Sequence, residues 1–401
     1  GAMSSKVMNT NDVVNLYNEY IMKTYTRVPL CLEKAKGALV EDIDGKKYLD
    51  FFPGWAVSGI GHCHKKVARG VSGQVQKLIH VSNNYYSALQ GKLAKKIIEH
   101  SFPGKVFFSN SGAEANEGAV KLARKYGHDR KRFEVITMNK SFHGRTLAMI
   151  AATGQDKVKQ GFEPLPEGFM HIPFGDIEAL EKTINEKTAA VMLELIQCEG
   201  GINIAPKEYV EKLREICDKN DIVLIFDEVQ TGLGRTGKMF CYQNYKVQPD
   251  VMTLAKSLGG GLPIGAMVAS ARFSGVLTPG SHASTFGGSP LVCAAALGVF
   301  EAIEKEKLLQ NAAKQGKYLL KKLSSLKEKY KIIKEVRGIA LTIGVELSID
   351  GEDIYKGCLK NGLLINCTQK NVLRIMPPLT VTKAEIDKAV SILDKVIASS
   401  V

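Results

Sequence analysis

The chain has 401 residues, of which 45% are hydrophobic and 24% charged, so it suits one large globular domain plus a smaller one. Its 54 Lys and Arg against 41 Asp and Glu give a formal charge of +13. Much of the basic excess lies in 305–334, where apolar residues recur at helical spacing, which indicates a solvated amphipathic helix. Without a nucleic-acid motif, no nucleic-acid partner is predicted, and small anionic substrates fit the charge as well.

The sequence also argues against a membrane or a metal partner. The longest nearly apolar run, 289–303, is interrupted by Pro290 and is too short to span a bilayer. No basic start precedes an apolar stretch, so we expect a cytoplasmic protein. The eight cysteines form no CxxC pair, which favours free thiols. His62 and His64 flank Cys63, but no second cluster at ligand spacing accompanies them, so no metal site is predicted.

Strand and helix patterns alternate between about residues 50 and 250, the order that α/β folds require. Continuously apolar runs such as 223–226 indicate strands covered on both faces, hence a mostly parallel central sheet. The predicted strands of this part are 105–109, 133–138, 189–195, 222–226 and 251–254. The predicted helices between them are 114–126, 177–185 and 207–219.

The pattern changes after about residue 300 to that of a smaller α+β domain. A long helix, three strands and a closing helix are predicted there, the last four at 332–336, 341–347, 372–375 and 383–398. The N-terminal segment contains a helix and an Asp44-Gly45 hairpin turn and is expected to pack with this domain. The predicted organisation is an N-terminal segment at 1–50, a large domain at 51–300 and a small domain at 301–401.

The first motif that carries chemistry is 109–117, where a short strand ends and a helix begins. Ser111 and Glu114 have the spacing of a capping box. The unpaired N–H groups and the dipole of a helix start could also hold a phosphate. By itself, the motif favours a plain capped helix.

The second motif, 142–146, follows the strand predicted at 133–138. Phe142 could stack on a flat heteroaromatic ring, and Arg145 could bind a carboxylate through two hydrogen bonds. A loop aromatic is more often part of ordinary packing, so this motif also decides nothing alone.

The third motif places Asp227 and Glu228 directly after the apolar strand 222–226. The carboxyl end of a parallel strand is where such sheets bind ligands. A buried carboxylate there is unfavourable without a charged or hydrogen-bonding partner, and a protonated ring nitrogen would be one. The alternative is an Asp that caps the next turn.

The fourth motif is Lys256, which follows the strand 251–254 and precedes three glycines, Gly259 to Gly261. A partly desolvated lysine has a lowered pKa and can form an imine. Since the lysine comes before the glycines, a Walker-type phosphate loop is excluded. A lone lysine is usually a surface residue, but its place one strand after Asp227 favours a functional one.

Together, the four motifs resemble the class III aminotransferases that depend on pyridoxal 5′-phosphate, in particular the ornithine and acetylornithine aminotransferase group. The resemblance extends from about residue 25 to residue 392, and the motifs occur in the family's order. It implies the type I fold of these enzymes, α/β with a mostly parallel seven-stranded sheet in the large domain. It also implies an enzyme that works as a homodimer.

The resemblance assigns a cofactor role to nine residues. Lys256 would carry pyridoxal phosphate as a Schiff base and move the proton, and Asp227 would pair with the ring nitrogen. The others would pair with the phenolic oxygen, stack on the two ring faces or bind the phosphate, and Thr285 would reach the phosphate of the neighbouring subunit. These residues are Gln230, Phe142, Val229, Ser111, Gly112, Ala113 and Thr285.

The resemblance also assigns substrate contacts. Arg374 would bind the α-carboxylate of glutamate, Glu199 would mask that arginine while the first donor reacts, and Arg145 would hold the donor's own carboxylate. Trp55, the only tryptophan, would stand at the distal end of the pocket and shape the space for an acyl group.

The expected reaction is the transfer of an amino group from N-acetylornithine to 2-oxoglutarate, in arginine biosynthesis. Ornithine, 4-aminobutyrate or N-succinyl-diaminopimelate are alternative donors. Glutamate-1-semialdehyde aminomutase is less expected, because the Glu199–Arg374 pairing suits an external acceptor. A basic binding protein that keeps the fold without catalysis is the alternative from another class, and the intact Lys256 and Asp227 argue against it.

Overall fold

The computed structural model describes residues 7–401. Its α-helices are α1 (Thr10–Tyr20), α2 (Lys65–Val75), α3 (Ala88–Glu99), α4 (Gly112–Gly127), α5 (Leu147–Ala152), α6 (Ile177–Thr183), α7 (Lys207–Asn220), α8 (Tyr242–Tyr245), α9 (Pro290–Lys305), α10 (Leu308–Lys329), α11 (Glu352–Lys360) and α12 (Lys383–Ser400). None of the helices in this part of the chain is both long and apolar enough to cross a membrane.

The strands of the first two thirds of the chain are β1 (Leu32–Lys36), β2 (Leu39–Asp42), β3 (Lys47–Asp50), β4 (Gly104–Ser109), β5 (Glu134–Met138), β6 (Phe169–Ile172), β7 (Thr188–Leu193), β8 (Ile196–Gln197), β9 (Asn203–Ile204), β10 (Val223–Asp227), β11 (Val251–Leu254) and β12 (Gly265–Ser270). The later strands are β13 (Ile333–Ile339), β14 (Thr342–Leu347), β15 (Leu363–Leu364), β16 (Asn366–Thr368) and β17 (Val372–Ile375).

The centre of the molecule is a seven-stranded sheet in the order β4-β12-β11-β10-β7-β5-β6. Strands β6, β5, β7, β10 and β11 run parallel, whereas β12 is antiparallel to both of its neighbours. Strands β7 and β10 are buried along their whole length. The prediction of an α/β fold with a mostly parallel seven-stranded sheet is therefore confirmed.

Two strands of this sheet, β6 and β12, were not predicted from the sequence. Strand β12 is rich in small residues, Gly265, Ala266 and Ala269, which have weak strand propensity. Tertiary contact decides its structure: β12 fits between β11 and β4 through its backbone, and a Cβ on Gly265 would lie 2.3 Å from the Ser111 carbonyl oxygen. This close approach brings β12 against the start of α4.

The C-terminal part contains a second sheet, β13-β14-β17-β16, in which all neighbours are antiparallel. A third sheet, β1-β2-β3-β15, joins the N-terminal hairpin to residues 363–364. The predicted hairpin turn lies between β2 and β3, where Gly45 has φ +86. Arg374 on β17 is paired in register with Gly344 and Asn366, so two strands fix its position.

One buried arginine ties the central sheet's loops to the C-terminal part. Arg235 is fully buried and donates to the carbonyl oxygens of Pro377, at 2.6 Å, and Leu341. Burial lowers its pKa to about 10. Because Pro377 follows Arg374 closely, this contact also anchors the segment beside the candidate site.

Two helical glycines should respond in opposite directions to the same substitution. In Gly316→Ala the new Cβ would lie 2.4 Å from the backbone of Ala340, so we expect a loss of about 1–3 kcal/mol of stability. In Gly91→Ala on α3 the Cβ meets nothing within 4 Å, so we expect a gain of up to about 1 kcal/mol. Thermal unfolding midpoints measure both, and equal shifts would contradict the tight packing of α10 on residue 340.

Candidate active site

Asp227, at the carboxyl end of β10, is 4% exposed and is held by three hydrogen-bond donors. Val229 N donates to Oδ1 at 3.0 Å, and Asn116 Nδ2 and His143 Nδ1 donate to Oδ2 at 2.9 and 2.8 Å. Thr253 Oγ1 donates to Asn116 Oδ1, which fixes the orientation of that amide. The carboxylate is thus immobilised while Oδ1 keeps a free lone pair among the described residues.

Lys256 stands beside this carboxylate because β10 and β11 are neighbours, with Asp227 opposite Thr253. Its Nζ donates to Gln230 Oε1 at 2.7 Å. Its backbone has φ +43, in the left-handed region that is unfavourable for a lysine. Burial first and the nearby Arg374 second lower the pKa of the Lys256 amine, against the opposing effects of Cys198, Glu199 and Asp227.

The start of α4 lies at the same edge of the sheet. Ser111 is the N-cap and its Oγ accepts from Glu114 N at 3.2 Å, as the capping motif predicts. The Glu114 carboxylate accepts from Ser111 Oγ and from the N–H of Asn110, one residue before the N-cap, whereas a regular capping box would use the N–H of Ser111. The first-turn N–H groups of Gly112 and Ala113 point out of the helix end, where an anion can bind.

Small residues allow two loops to reach this helix start. A Cβ on Gly112 would lie 2.7 Å from Val229 Cγ1, and one on Gly144 would lie 2.7 Å from Ala113 Cβ. The segment with Phe142 and the segment after Asp227 therefore both pack on the first turn of α4. The structure brings together the three motifs that the sequence places far apart.

The predicted ion pair between Arg374 and Glu199 is formed in the structure. Arg374, 1% exposed, donates from Nη2 to Glu199 Oε2 at 2.9 Å and from Nε to Asn366 Oδ1 at 2.7 Å. The guanidinium carbon also lies 4.7 Å from the Phe52 ring centre and 5.5 Å from that of Trp55. Arg374 is thus neutralised by one carboxylate, Glu199, whose side chain stays partly exposed and can be displaced.

The remaining predicted residues lie nearer the surface. Trp55 is 52% exposed and its carbonyl oxygen accepts from Gln230 Nε2 at 3.3 Å. Arg145 is exposed, with its guanidinium 5.7 Å from the Phe142 ring centre. Thr285 is exposed, and within residues 7–401 no side-chain hydrogen bond connects it to the other predicted residues.

Sequence reasoning missed the residues that hold the predicted ones in place. Asn116 and His143 lie inside the first two motifs, but their contacts with Asp227 depend on the folded chain. Glu194, five positions before Glu199, is buried and accepts from the Phe142 N–H at 3.1 Å. Burial foremost, and then Asp227, raise its pKa well above the ordinary value.

The His62-Cys63-His64 segment does not converge on one point. His62 Nε2 lies 2.8 Å from an Asp50 carboxylate oxygen, whereas His64 caps α2 and pairs with Glu306. No group of three or more His, Cys, Asp or Glu side chains within the described part of the chain has the arrangement of a metal site.

Residues 20–397 match the family model described as Aminotransferase class-III. Because this match covers most of the sequence, the chain belongs to the class III aminotransferases. It is therefore an aminotransferase that depends on pyridoxal phosphate, as the resemblance implied.

Curated relatives and solved structures are similar over nearly the full length. The acetylornithine aminotransferase of Methanocaldococcus jannaschii is 51% identical over 392 residues, 97% of this chain and 98% of that protein. That of Caldanaerobacter subterraneus subsp. tengcongensis is 50% identical over 390 residues, with 96% and 99% coverage. The crystal structure of ornithine aminotransferase from Toxoplasma gondii has a TM-score of 0.94 at 33% identity, covering 98% of this chain and 96% of that one. The acetylornithine aminotransferase of Elizabethkingia anophelis has a TM-score of 0.87 at 31% identity, with 98% and 100% coverage.

The residues at this site fit pyridoxal phosphate. The free lone pair on Asp227 Oδ1 can accept a ring N–H, and the buried, hydrogen-bonded carboxylate can keep that nitrogen protonated. The glycine at position 112 lets the Val229 side chain pack against the helix start, beside the N–H groups that can bind the phosphate. Lys256 supplies an amine whose pKa is already lowered.

The lowered pKa of Lys256 predicts how cofactor attachment depends on pH. Only the uncharged amine attacks, so the attachment rate to cofactor-free protein should rise with pH and level off below 10.5, the ordinary lysine value. Growth of the visible absorption band measures this rate, with Nα-acetyllysine methylamide as the unperturbed control. A plateau at the same pH for the protein and the control would contradict the burial of the amine, and Lys256→Ala should show no band.

Proposed function

We propose that the chain transfers the amino group of N-acetylornithine to 2-oxoglutarate, giving N-acetylglutamate 5-semialdehyde and glutamate. The observation that supports this best is the Arg374–Glu199 pair beside Lys256, a carboxylate-binding group that a second carboxylate neutralises. The two relatives at 50–51% identity are acetylornithine aminotransferases, whereas the similar ornithine aminotransferase structure from T. gondii is 33% identical.

When bound, pyridoxal phosphate supplies an electron sink that acidifies the hydrogen on the amino-bearing carbon. In this proposal Asp227 keeps the ring nitrogen protonated and Gln230 donates to the phenolic oxygen. Phe142 and Val229 would cover the two ring faces. Ser111, Gly112 and Ala113, at the start of α4, would hold the phosphate.

Lys256 has two tasks in the same proposal: it holds the cofactor, and it carries a proton between the substrate carbon and the cofactor. A proton carrier must be uncharged when it accepts the proton, and the lowered pKa favours that form. The hydrogen bond from Nζ to Gln230 Oε1 at 2.7 Å restricts the orientation of the amine.

Arg374 and Glu199 let one pocket accept two different substrates. In the first half-reaction Glu199 neutralises Arg374, so an uncharged part of N-acetylornithine can lie there while Arg145 binds its carboxylate. In the second, the α-carboxylate of 2-oxoglutarate displaces Glu199 and takes its place on Arg374. Trp55, at the pocket mouth, faces the acyl group of the donor.

We also propose a homodimer in which Thr285 reaches the partner's phosphate. Thr285 and its neighbour Phe286 are exposed, and Asn83 Nδ2 donates to the carbonyl oxygens of Ser284 and Gly287. The segment before Asn83 and the residues after it add exposed apolar side chains to this surface, namely Leu78, Ile79, Tyr85 and Tyr86. An apolar surface of this kind is typical of a subunit interface.

The proposed organisation remains a segment at 1–50, a large domain at 51–300 and a small domain at 301–401, with residues 1–6 outside the described residues. Pairing of β15 with β3 supports the association of the first and third parts. The eight free cysteines support a reducing, cytoplasmic location.

A panel of donors with 2-oxoglutarate tests the proposed substrate. We expect kcat/KM for N-acetylornithine to exceed that for ornithine, 4-aminobutyrate and N-succinyl-diaminopimelate by about tenfold or more, the effect of about 1.4 kcal/mol of transition-state binding. Glutamate formation, followed by chromatography, measures each rate. Preference for any other donor would replace the proposed substrate but leave the enzyme class unchanged.

Glu199→Ala tests the masking of Arg374. Without the carboxylate, a buried cation faces the donor, so we expect kcat/KM for N-acetylornithine to fall about tenfold or more and that for glutamate to change far less. Glu352→Ala, which removes an exposed carboxylate on α11 that pairs with Lys356, is the matched control and should leave both unchanged. Equal losses with both substrates in Glu199→Ala would rule out the masking role.

A further inference from the structure

Three successive residues, Gly54, Trp55 and Ala56, have left-handed backbones, with φ of +57, +62 and +61. Glycine adopts this conformation freely, but the Cβ atoms of tryptophan and alanine make it unfavourable. Such a backbone persists only where surrounding contacts hold it. Residues 54–56 are called the left-handed turn below.

Two hydrogen bonds from the cofactor-binding side hold the left-handed turn. Ser257 Oγ donates to the Ala56 carbonyl oxygen at 2.9 Å, and Gln230 Nε2 donates to that of Trp55 at 3.3 Å. Ser257 is buried and directly follows Lys256, whose amine donates to Gln230 Oε1. The left-handed turn is therefore connected to Lys256 in two ways, through Gln230 to its amine and through Ser257 to its backbone.

The turn determines where the Trp55 ring lies. That ring and the Phe52 ring cover the guanidinium of Arg374, at 5.5 and 4.7 Å from its carbon atom. A cation held against aromatic faces is less hydrated and restricted in orientation. If the turn relaxes, Arg374 loses part of this cover and binds a carboxylate less well.

Of the two hydrogen bonds, only that of Ser257 is independent of the cofactor. The Gln230 amide nitrogen carries two hydrogens, and in the proposed function one of them bonds to the phenolic oxygen, so this donor is shared between the cofactor and the Trp55 carbonyl. Ser257 Oγ has no such second task, and its side-chain hydrogen bond within the described residues is to Ala56. Ser257 is thus the side-chain link to the turn that the cofactor does not share, and its hydrogen bond is the shorter of the two.

We propose that Ser257 is a positioning residue: it holds the left-handed turn and thereby keeps Trp55 on Arg374, which sets the affinity of the site for a dicarboxylate. This inference rests on the proposed function, because it takes Arg374 as the group that binds the acceptor's carboxylate.

Two variants break this hydrogen bond in different ways. Ser257→Ala removes the donor. Gly59→Ala keeps Ser257 but places a Cβ 2.5 Å from Ser257 Oγ, which pushes the hydroxyl away from the Ala56 carbonyl. Ser101→Ala is the matched control, because Ser101 Oγ also donates to a backbone carbonyl, that of Ile97, but on α3.

The only tryptophan of the chain reports directly on the turn. In the full-length protein, with and without pyridoxal phosphate, we expect both variants to shift Trp55 emission to longer wavelength and to increase its quenching by acrylamide. Glutarate, an unreactive dicarboxylate, should bind about fivefold more weakly, the effect of one lost neutral hydrogen bond. KM for 2-oxoglutarate should rise by a similar factor while kcat changes less. Ser101→Ala should match the wild type in all four measurements.

The outcomes separate the two proposals. If a variant that folds keeps the wild-type emission and glutarate affinity, the role of Ser257 is wrong. The proposed function would survive that result as long as the wild type binds glutarate and transaminates 2-oxoglutarate. A wild-type enzyme that neither binds glutarate nor uses 2-oxoglutarate would instead contradict the proposed function itself. If Ser257→Ala fails to fold, Gly59→Ala carries the test.

Discussion

The buried carboxylate of Asp227 is the constraint on which the site depends. A carboxylate inside a protein is unfavourable by several kcal/mol unless hydrogen bonds and a counter-charge compensate it. Here Asn116 from α4, His143 from the loop after β5 and the Val229 N–H supply three donors. The packing of α4, β10 and β11 at one sheet edge brings these donors together, and Thr253 of β11 orients Asn116. A protonated ring nitrogen completes the set, which explains why this arrangement suits pyridoxal phosphate.

The charges around Lys256 form a second, linked balance. Arg374 lowers the pKa of the lysine, whereas Glu199 and Asp227 raise it. An unmasked Arg374 would therefore keep the lysine uncharged more strongly than the masked arginine does. When a substrate carboxylate replaces Glu199 on Arg374, one negative charge takes the place of another. The exchange of substrates in this proposal leaves the field at the proton carrier nearly constant, so one lysine can serve both half-reactions.

The sequence predicted the site residues better than their partners. Asp227 and Lys256 each follow a short apolar strand, and because parallel strands end at one edge, their proximity follows from the pattern. The Arg374–Glu199 pair spans 175 positions and was expected only from the resemblance to a known family. Strand β12 was missed because its small residues take their structure from neighbouring strands.

The contacts of Asn116 and Glu194 show why the hydrogen-bond partners of the site residues were not predicted from the sequence. No sequence signal marks Asn116: the pattern of its helix predicts an inward face, but not that Asp227 and Thr253 lie against this residue. Glu194 follows a buried strand as Asp227 does, yet its partner is a backbone N–H of a distant loop. Partners of this kind depend on how the elements pack, which a hydrophobic pattern in one chain does not specify.

The segment 51–59 explains why substrate choice depends on more than the residues that touch substrate. Its backbone accepts hydrogen bonds from Met376 and Leu379, which follow Arg374, and from Ser257, which follows Lys256. The segment 51–59, which carries Trp55, is therefore hydrogen-bonded both to the residues that follow Arg374 and to the residue that follows Lys256. A shift of the backbone at residues 376–379 or at Ser257 moves the segment 51–59. A substitution outside the pocket can therefore change which dicarboxylate or donor fits while Asp227 and Lys256 keep their places.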